Sequence, residues 1–485
     1  MENLVALYPY LQPYEAILRQ DVSTYNGEEV RFTTYKAQDD ARYPDLTMAF
    51  PWTDTTFHPT EMPVMYEIWP MEGTTWRWIE KKVLPYILQA GYNTLLLTPQ
   101  PKVGRSTFPV SCKNFGTPQE LQSLVNTAHG MGLRVIMEAS CFMIADSTDA
   151  TKGILLNYLR RCLELYHMDG FFFAGVSHIL YKDHAVGVQF NTLDLYFSAN
   201  VNREVLLMLR LANRLVHTVR PGAITIAEDV SGMPGIADPL DAGGVGFDFR
   251  VAMGVPTLWH AELKKRDEEW VVQHLWNELE RRTGKTIATV ENHVAVYDGR
   301  EPIMKQMVGD ASLSIPTDSR VERALALQKL IRLVTITAAG EGLINTAGTE
   351  GGYLRWEIDD NMLDAMQEHG TIHGQLTAFD KALLNALRYN HVLGSAINLR
   401  RLHNDDHVIA YNRGNLLFVC NFNPTASFQG YGFPVEEGKY KLLVCTDSPE
   451  FGGKGRVPDK VYETFRGRVH LNLPSRTGLV LAKID

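Results

Sequence analysis

The run Tyr166-His-Met-Asp-Gly-Phe-Phe-Phe-Ala-Gly-Val176 reads as a strand buried on both faces. Asp169-Gly170 opens an unbroken apolar and aromatic stretch, and Gly175 closes it. A period of two puts Gly170, Phe172, Ala174 and Val176 on one face, and Asp169, Phe171 and Phe173 on the other. Strands of this kind belong to parallel sheets covered by helices, and the chain around this one repeats the pattern. From Met65 onward, strand-like runs (65–69, 93–98, 134–138, 223–228, 245–250, 286–290, 342–345) alternate with helical stretches at 75–90, 118–131, 154–166, 204–219 and 323–338. With the opening run they supply eight strands, which predicts an α/β chain folded as a (β/α)8, or TIM, barrel. Beyond about His403 the spacing changes to short strands and turns (408–411, 416–420, 440–445, 478–482), predicting an all-β sandwich domain. The expected division is an N-terminal helix and linker over 1–62, the barrel over 63–395 and the β-sandwich over 396–485.

A net charge of −9 with no offsetting basic block argues against nucleic-acid binding, whereas a neutral polysaccharide would be indifferent to it. No stretch of about 18 apolar residues suggests a membrane span. Met1-Glu-Asn-Leu lacks the basic start of a secretory signal. The five cysteines (Cys112, Cys141, Cys162, Cys420, Cys445) are scattered and odd in number, which suits reduced thiols in a cytoplasm. No metal or other cofactor is expected. Gly452-Gly-Lys-Gly455 lacks the strand–loop–helix setting of a phosphate loop and reads as a turn. His403-Asn-Asp-Asp-His407 reads as a polar hairpin loop in preference to a metal site.

The 169–176 run resembles the fourth barrel strand of the α-amylase superfamily (glycoside hydrolase family 13), whose pattern is Asp-Gly-Phe-Arg-Phe-Asp-Gly-Val. Within that superfamily the chain is most similar to eukaryotic-type 1,4-α-glucan branching enzymes. Ala227-Glu-Asp-Val-Ser-Gly-Met-Pro234, Gly243-Gly-Val-Gly-Phe-Asp-Phe-Arg250 and Phe451-Gly-Gly-Lys-Gly-Arg-Val457 carry that similarity. Residues 3–22 resemble the family's N-terminal helix. A starch-binding sandwich of roughly one hundred residues would follow it, and residues 27–62 are too few for one.

The resemblance also implies a site, and implies that the site has decayed. Retaining glycoside transfer needs a nucleophilic carboxylate and an acid/base carboxyl on either side of the anomeric carbon. The acid/base position is Glu228. The nucleophile position is Ala174, which has no heteroatom, and the Arg that would orient it is Phe172. The third carboxylate position is Val294, beside a retained His293. Where the family has Asp-Val-Val-His-Ser-His, this chain has Glu138-Ala-Ser-Cys-Phe-Met143, so a sugar-binding His has become Met143; Glu138, Met143, Phe172 and His293 are the binding positions that the resemblance implies. Asp169 and Asp229 alternate away from the site face and are poor substitutes. Trp69, Trp76, Trp78 and Trp356 are candidates for stacking on sugars, with core packing as the plainer reading. The expected function is therefore a catalytically silent branching-enzyme-like protein of glycogen or α-glucan metabolism. It would bind α-glucan oligosaccharide, or a protein partner such as an active paralogue. The alternative is an active branching enzyme, hydrolase or transglycosylase using Glu228 with a second, unrecognised group.

Overall fold

The computed structural model describes residues 24–25, 28–29, 50–53, 61–69, 73–98, 115–141, 149–280, 285–292, 299–315, 317–353 and 358–484. Eight strands form a closed barrel: β1 (Val64–Ile68), β2 (Thr94–Leu97), β3 (Arg134–Ser140), β4 (Gly170–Ala174), β5 (Ile224–Ala227), β6 (Phe249–Val251), β7 (Thr286–Thr289) and β8 (Gly342–Thr346), in the order β8-β1-β2-β3-β4-β5-β6-β7. Every pairing described between them is parallel. A two-residue hairpin, Thr24–Tyr25 with Glu28–Glu29, lies at the start of the stretch read as a linker. The N-terminal helix expected at 3–22 lies outside the described residues.

The chain divides into two compact units. The first comprises Met1–Thr60, Ile68–Leu84 and Thr94–Met253. It carries β2 to β6 with the helices α1 (Pro118–Gly130), α2 (Asp149–Leu165) and α3 (Arg203–Val219). Helix α1 starts where the sequence says it should. Thr117 and Glu120 exchange side-chain-to-backbone hydrogen bonds in a capping box, with Pro118 in the first turn, where its missing N–H costs nothing. The outward faces of β4 pack aromatically: Phe171 lies 6.2 Å from Tyr158 of α2, and Phe173 5.1 Å from Phe247 (ring centroids).

Strand β6 departs from expectation. It was expected over 245–250 and spans Phe249–Val251. Val245, Gly246 and Phe247 instead donate their amides to Gly235, Asp238 and Ile236. The side chains of Val245 and Phe247 are buried in a loop that folds back on itself, so the apolar run overstates the strand.

The second unit comprises Glu61–Glu67, Pro85–Asn93 and Gly254–Asp485. Its barrel part centres on α4 (Ser319–Ala338), a helix buried almost all round. Such burial of polar groups demands partners. Asp380 accepts from Arg332 Nε and the Tyr92 hydroxyl, both at 2.7 Å. Glu350 accepts from the Tyr66 and Tyr86 hydroxyls and from Asn345 Nδ2, each at 2.7 Å. The last part of this unit is all-β: a six-stranded antiparallel sheet and a two-stranded one, enclosing a core that includes Val408, Val419, Phe433, Leu471 and Leu481. The His403–His407 segment is the tight connection between strands Ile397–His403 and Val408–Arg413. Gly452 and Gly455 sit at positive φ in a turn that wraps the Asp447 carboxylate, an acidic centre unsuited to phosphate. Among the described residues no group of His, Cys, Asp or Glu could hold a metal ion, and no helix is long and apolar enough to cross a membrane.

Candidate functional site

Barrel sites form at the C-terminal ends of the strands, and in the first unit those of β3, β4 and β5 lie side by side. Register fixes which residues share the site face. Glu138 stands opposite Phe172, Ser140 opposite Ala174, and Phe172 opposite Ile226. Glu228 follows one residue beyond β5 and keeps the pairing going: its amide donates to Phe173 O, and its carbonyl accepts from Val176 N. The face therefore carries Glu138, Phe172, Ala174 and Glu228. All four are buried, none more than 6% exposed.

Glu228 is held closely. Its Oε2 accepts from the amide of Gly175 at 2.7 Å, the residue next to Ala174. Cys141, the residue after β3, lies within electrostatic reach of both Glu228 and Glu138. Burial first, and then those two carboxylates, push its thiol far above its ordinary range. That thiol is a packed, protonated side chain and no nucleophile. Its surroundings put Glu138, a binding candidate of the sequence, in the neighbourhood of Glu228.

The other acidic residues nearby have structural duties. Asp169 accepts from Val135 N, His129 Nε2 and Arg220 Nη2, each at 2.8 Å, and so ties the entry of β4 to its neighbours. Gly170 beside it approaches Ile224 so closely that an added Cβ would lie 2.0 Å from the Ile224 carbonyl oxygen. Asp229 accepts from Ser231 N, Ser231 Oγ and Met233 N and shapes the following turn. Asp248 accepts from Thr225 N and His217 Nε2. Of the tryptophans proposed for stacking, Trp76 is buried against Phe115 at 5.3 Å and belongs to the core. Trp69 and Trp78 are half-buried. Met143, His293, Val294 and Trp356 lie outside the described residues.

In the second unit, sequence reasoning passed over Glu291, at the end of β7. It is buried, and its Oε1 accepts from Ile303 N at 2.7 Å. Burial pushes its carboxyl up to about 7, with the Ile303 amide and the Arg332 charge pulling only partly the other way. The available signal was its place immediately after an apolar strand, where a carboxylate is held by whatever loop follows.

Comparison with known proteins bears on all of this. Residues 400–483 match the α-amylase C-terminal all-β domain. The 1,4-alpha-glucan-branching enzyme of Aspergillus oryzae is 33% identical over 84% of this chain and 70% of its own length. This chain belongs to the 1,4-alpha-glucan-branching enzyme family. The branching enzyme of Felis catus is 30% identical, over 83% of this chain and 68% of its own length. That of Rhizophagus irregularis is 32% identical over 78% of this chain, which spans 65% of that relative. Two solved α-amylases share the fold: one from Anoxybacillus (TM-score 0.61, 14% identity, 87% of this chain and 98% of that one), and one from Geobacillus thermoleovorans, complexed with acarbose (TM-score 0.62, 13% identity, 88% and 100%). Membership of the branching-enzyme family agrees with the motifs at 227–234 and 243–250.

Proposed function

We propose that this chain is a catalytically silent branching-enzyme family member that binds α-glucan, or a protein partner such as an active paralogue, in cytoplasmic α-glucan metabolism. The observation that carries the reading is the end of β4. Ala174 offers no nucleophile, the adjacent Gly175 amide is already bonded to Glu228, and Asp169 and Asp229 are spent on structural hydrogen bonds. Covalent glycosyl transfer depends on its carboxylates as a unit, so removal of the nucleophile takes away most of the acceleration. The four described cysteines are free and buried, in keeping with a reducing compartment.

The test is an iodine-stain branching assay on amylose, with reducing-end release measured in parallel. The expected result is no turnover above background. Robust turnover abolished by Glu228→Gln would overturn the reading. One observation favours a second reading: strand register puts Glu138 and Glu228 on the same face, to either side of Phe172, so a residual glucan-cleaving pair would consist of these two. Activity lost in both Glu138→Gln and Glu228→Gln would establish it. Affinity electrophoresis in glycogen gels and a pull-down from cell extract separate the glucan and partner roles of a silent protein.

A further inference from the structure

The six-stranded sheet of the second unit ends in the short strand Val461–Glu463, with Lys439–Cys445 and then Thr477–Lys483 next inward. One face of these strands supplies Tyr440, Tyr462, Leu479 and Leu481 to the domain core. A period of two turns Lys439, Lys441, Val461 and Glu463 to the other face. In mid-sheet that face is covered. A Cβ added at Gly478 would meet Leu330 and Leu333 of α4 at 3.1 Å, and Tyr411 packs against Trp276 at 5.0 Å between ring centroids. At the edge the cover stops. Four of the eleven large apolar side chains exposed among the described residues gather there, 38–64% exposed: Leu443, at a bulge between Leu442 and Val444, with Val461, Phe465 and Ile484. They adjoin the lysines, since Lys441 pairs with Val461 and Ile484 N donates to Lys439 O at 2.8 Å. Single exposed apolar side chains are ordinary, whereas a cluster of this kind marks an interaction surface.

The charges on the ledge say what fits it. Lys439 is tied to Glu463 at 3.1 Å, and Lys441 has no ion-pair partner among the described residues. The Arg466 guanidinium lies over the Phe465 ring, 5.1 Å from its centroid. The ledge therefore carries three cations against one carboxylate, in a chain of net charge −9. One face of its one aromatic ring is already taken, which leaves little for a sugar to stack on. Anionic membranes are held by denser basic clusters, of about four or more. A two-fold pairing with a second copy would set each Lys441 against its own counterpart, a like-charge contact. An acidic, partly apolar protein segment meets none of these objections.

We propose that this ledge docks a partner protein through a segment that sets carboxylates beside apolar side chains, with Lys441 and Arg466 taking the carboxylates. The inference rests on the partner role proposed above, and its test reads no turnover and no glucan, so its failure is distinct from the failure of that reading. The full chain is panned against a random-peptide display library, and a synthetic copy of the most enriched sequence is titrated by fluorescence anisotropy. Enriched sequences should combine Asp or Glu with Leu, Ile or Val, and binding should weaken as salt rises. Lys441→Glu should weaken it by about tenfold or more through like-charge repulsion, and Val461→Asp should abolish it, both at an unchanged melting temperature. Val186→Asp, at an exposed valine of the first unit, should leave binding unchanged. If Val461→Asp does not fold, Lys441→Glu against Val186→Asp decides. The proposal fails if no sequence is enriched, if the enriched ones have no acidic bias, if neither ledge substitution weakens binding, or if Val186→Asp weakens it equally. A dimer in sedimentation equilibrium that Val461→Asp dissolves would put a second copy on the ledge. Phosphatidylserine vesicles that bind the wild type and not Lys441→Glu would put a membrane there, and either result overturns the proposal.

Discussion

At the start of β4, Asp169 takes three hydrogen bonds, from a histidine, an arginine and a backbone amide, and lies buried among them. At the end of the same strand, five residues on, Ala174 holds a methyl group beside Phe172, at the position where the family's pattern has its nucleophile. The two ends are equally buried and differ in what surrounds them. A carboxylate is stable in an interior only where donors converge on it, and donors converge on Asp169. The side chain next to Ala174 on its face is aromatic, and the nearest carboxylate neighbour, Glu228, would repel a second one. Burial alone says nothing about whether a position can carry charge; the partners decide.

The largest effect that would break this comparison is loss of Asp169. Asp169→Ala strips His129, Arg220 and the Val135 amide of their common acceptor, and should cost about 3–5 kcal/mol in urea unfolding. A cost under about 1 kcal/mol would mean that the donors find water or each other, and the contrast between the two ends would collapse. Next comes Ala174→Asp, which installs a buried carboxylate without a charge partner. It should lower stability by about 3 kcal/mol and leave the iodine-stain assay blank. Phe172→Arg with Ala174→Asp should regain part of that stability and still give no branching. Clear branching by the single variant at an unchanged melting temperature would show that the pocket had kept its chemistry.

Glu291 sharpens the comparison as an intermediate case, a buried carboxyl with one backbone donor. Its folded-state titration lies near 7, above the ordinary value of 4.5. Between those values the folded chain holds a proton that the unfolded chain releases, so stability falls as pH rises through this window. The contribution is at most about 3 kcal/mol, and Glu291→Gln should remove it, flattening a pH series of denaturant midpoints between 4.5 and 7. A slope unchanged in the variant would place the titrating group elsewhere. The smallest effect is expected at Glu228. A Gln amide oxygen can still accept from the Gly175 amide, so Glu228→Gln should change stability by less than about 1 kcal/mol. A larger loss would show that its charge is structurally required.

The barrel was legible because apolar runs bounded by Gly, Asp and Pro leave little choice, and seven of its strands begin within two residues of the expected start. The sixth was not. The apolar content of residues 245–247 was read as strand when it packs a folded-back loop, a distinction that rests on long-range hydrogen bonds absent from any local pattern. The site was legible in part. Its identity came from a motif, and the motif separated Ala174 and Phe172 from the residues around them. What it could not convey was the work of Asp169: strand periodicity says that it faces away from Ala174, but only tertiary structure supplies His129 and Arg220, 40 and 51 residues away. Glu138 was named from the same motif, and register supplies its place on the face that carries Phe172.

The buried cysteines have a practical consequence. Cys141 and Cys162 belong to the first compact unit, and Cys420 and Cys445 to the second. Burial holds all four as thiols: Cys162 and Cys445 are pushed up to about 12 and about 11, and the other two higher still. Alkylating reagents attack the thiolate, so these four sites should resist them in the native chain and each should become labelled only when its surroundings open. Pulse-alkylation followed by peptide mass spectrometry would then time the opening of each unit separately, without a single engineered probe. Equal labelling rates at all four sites would mean that the chain opens as one cooperative body, and a consistent difference between the pairs would mean that it opens in two stages.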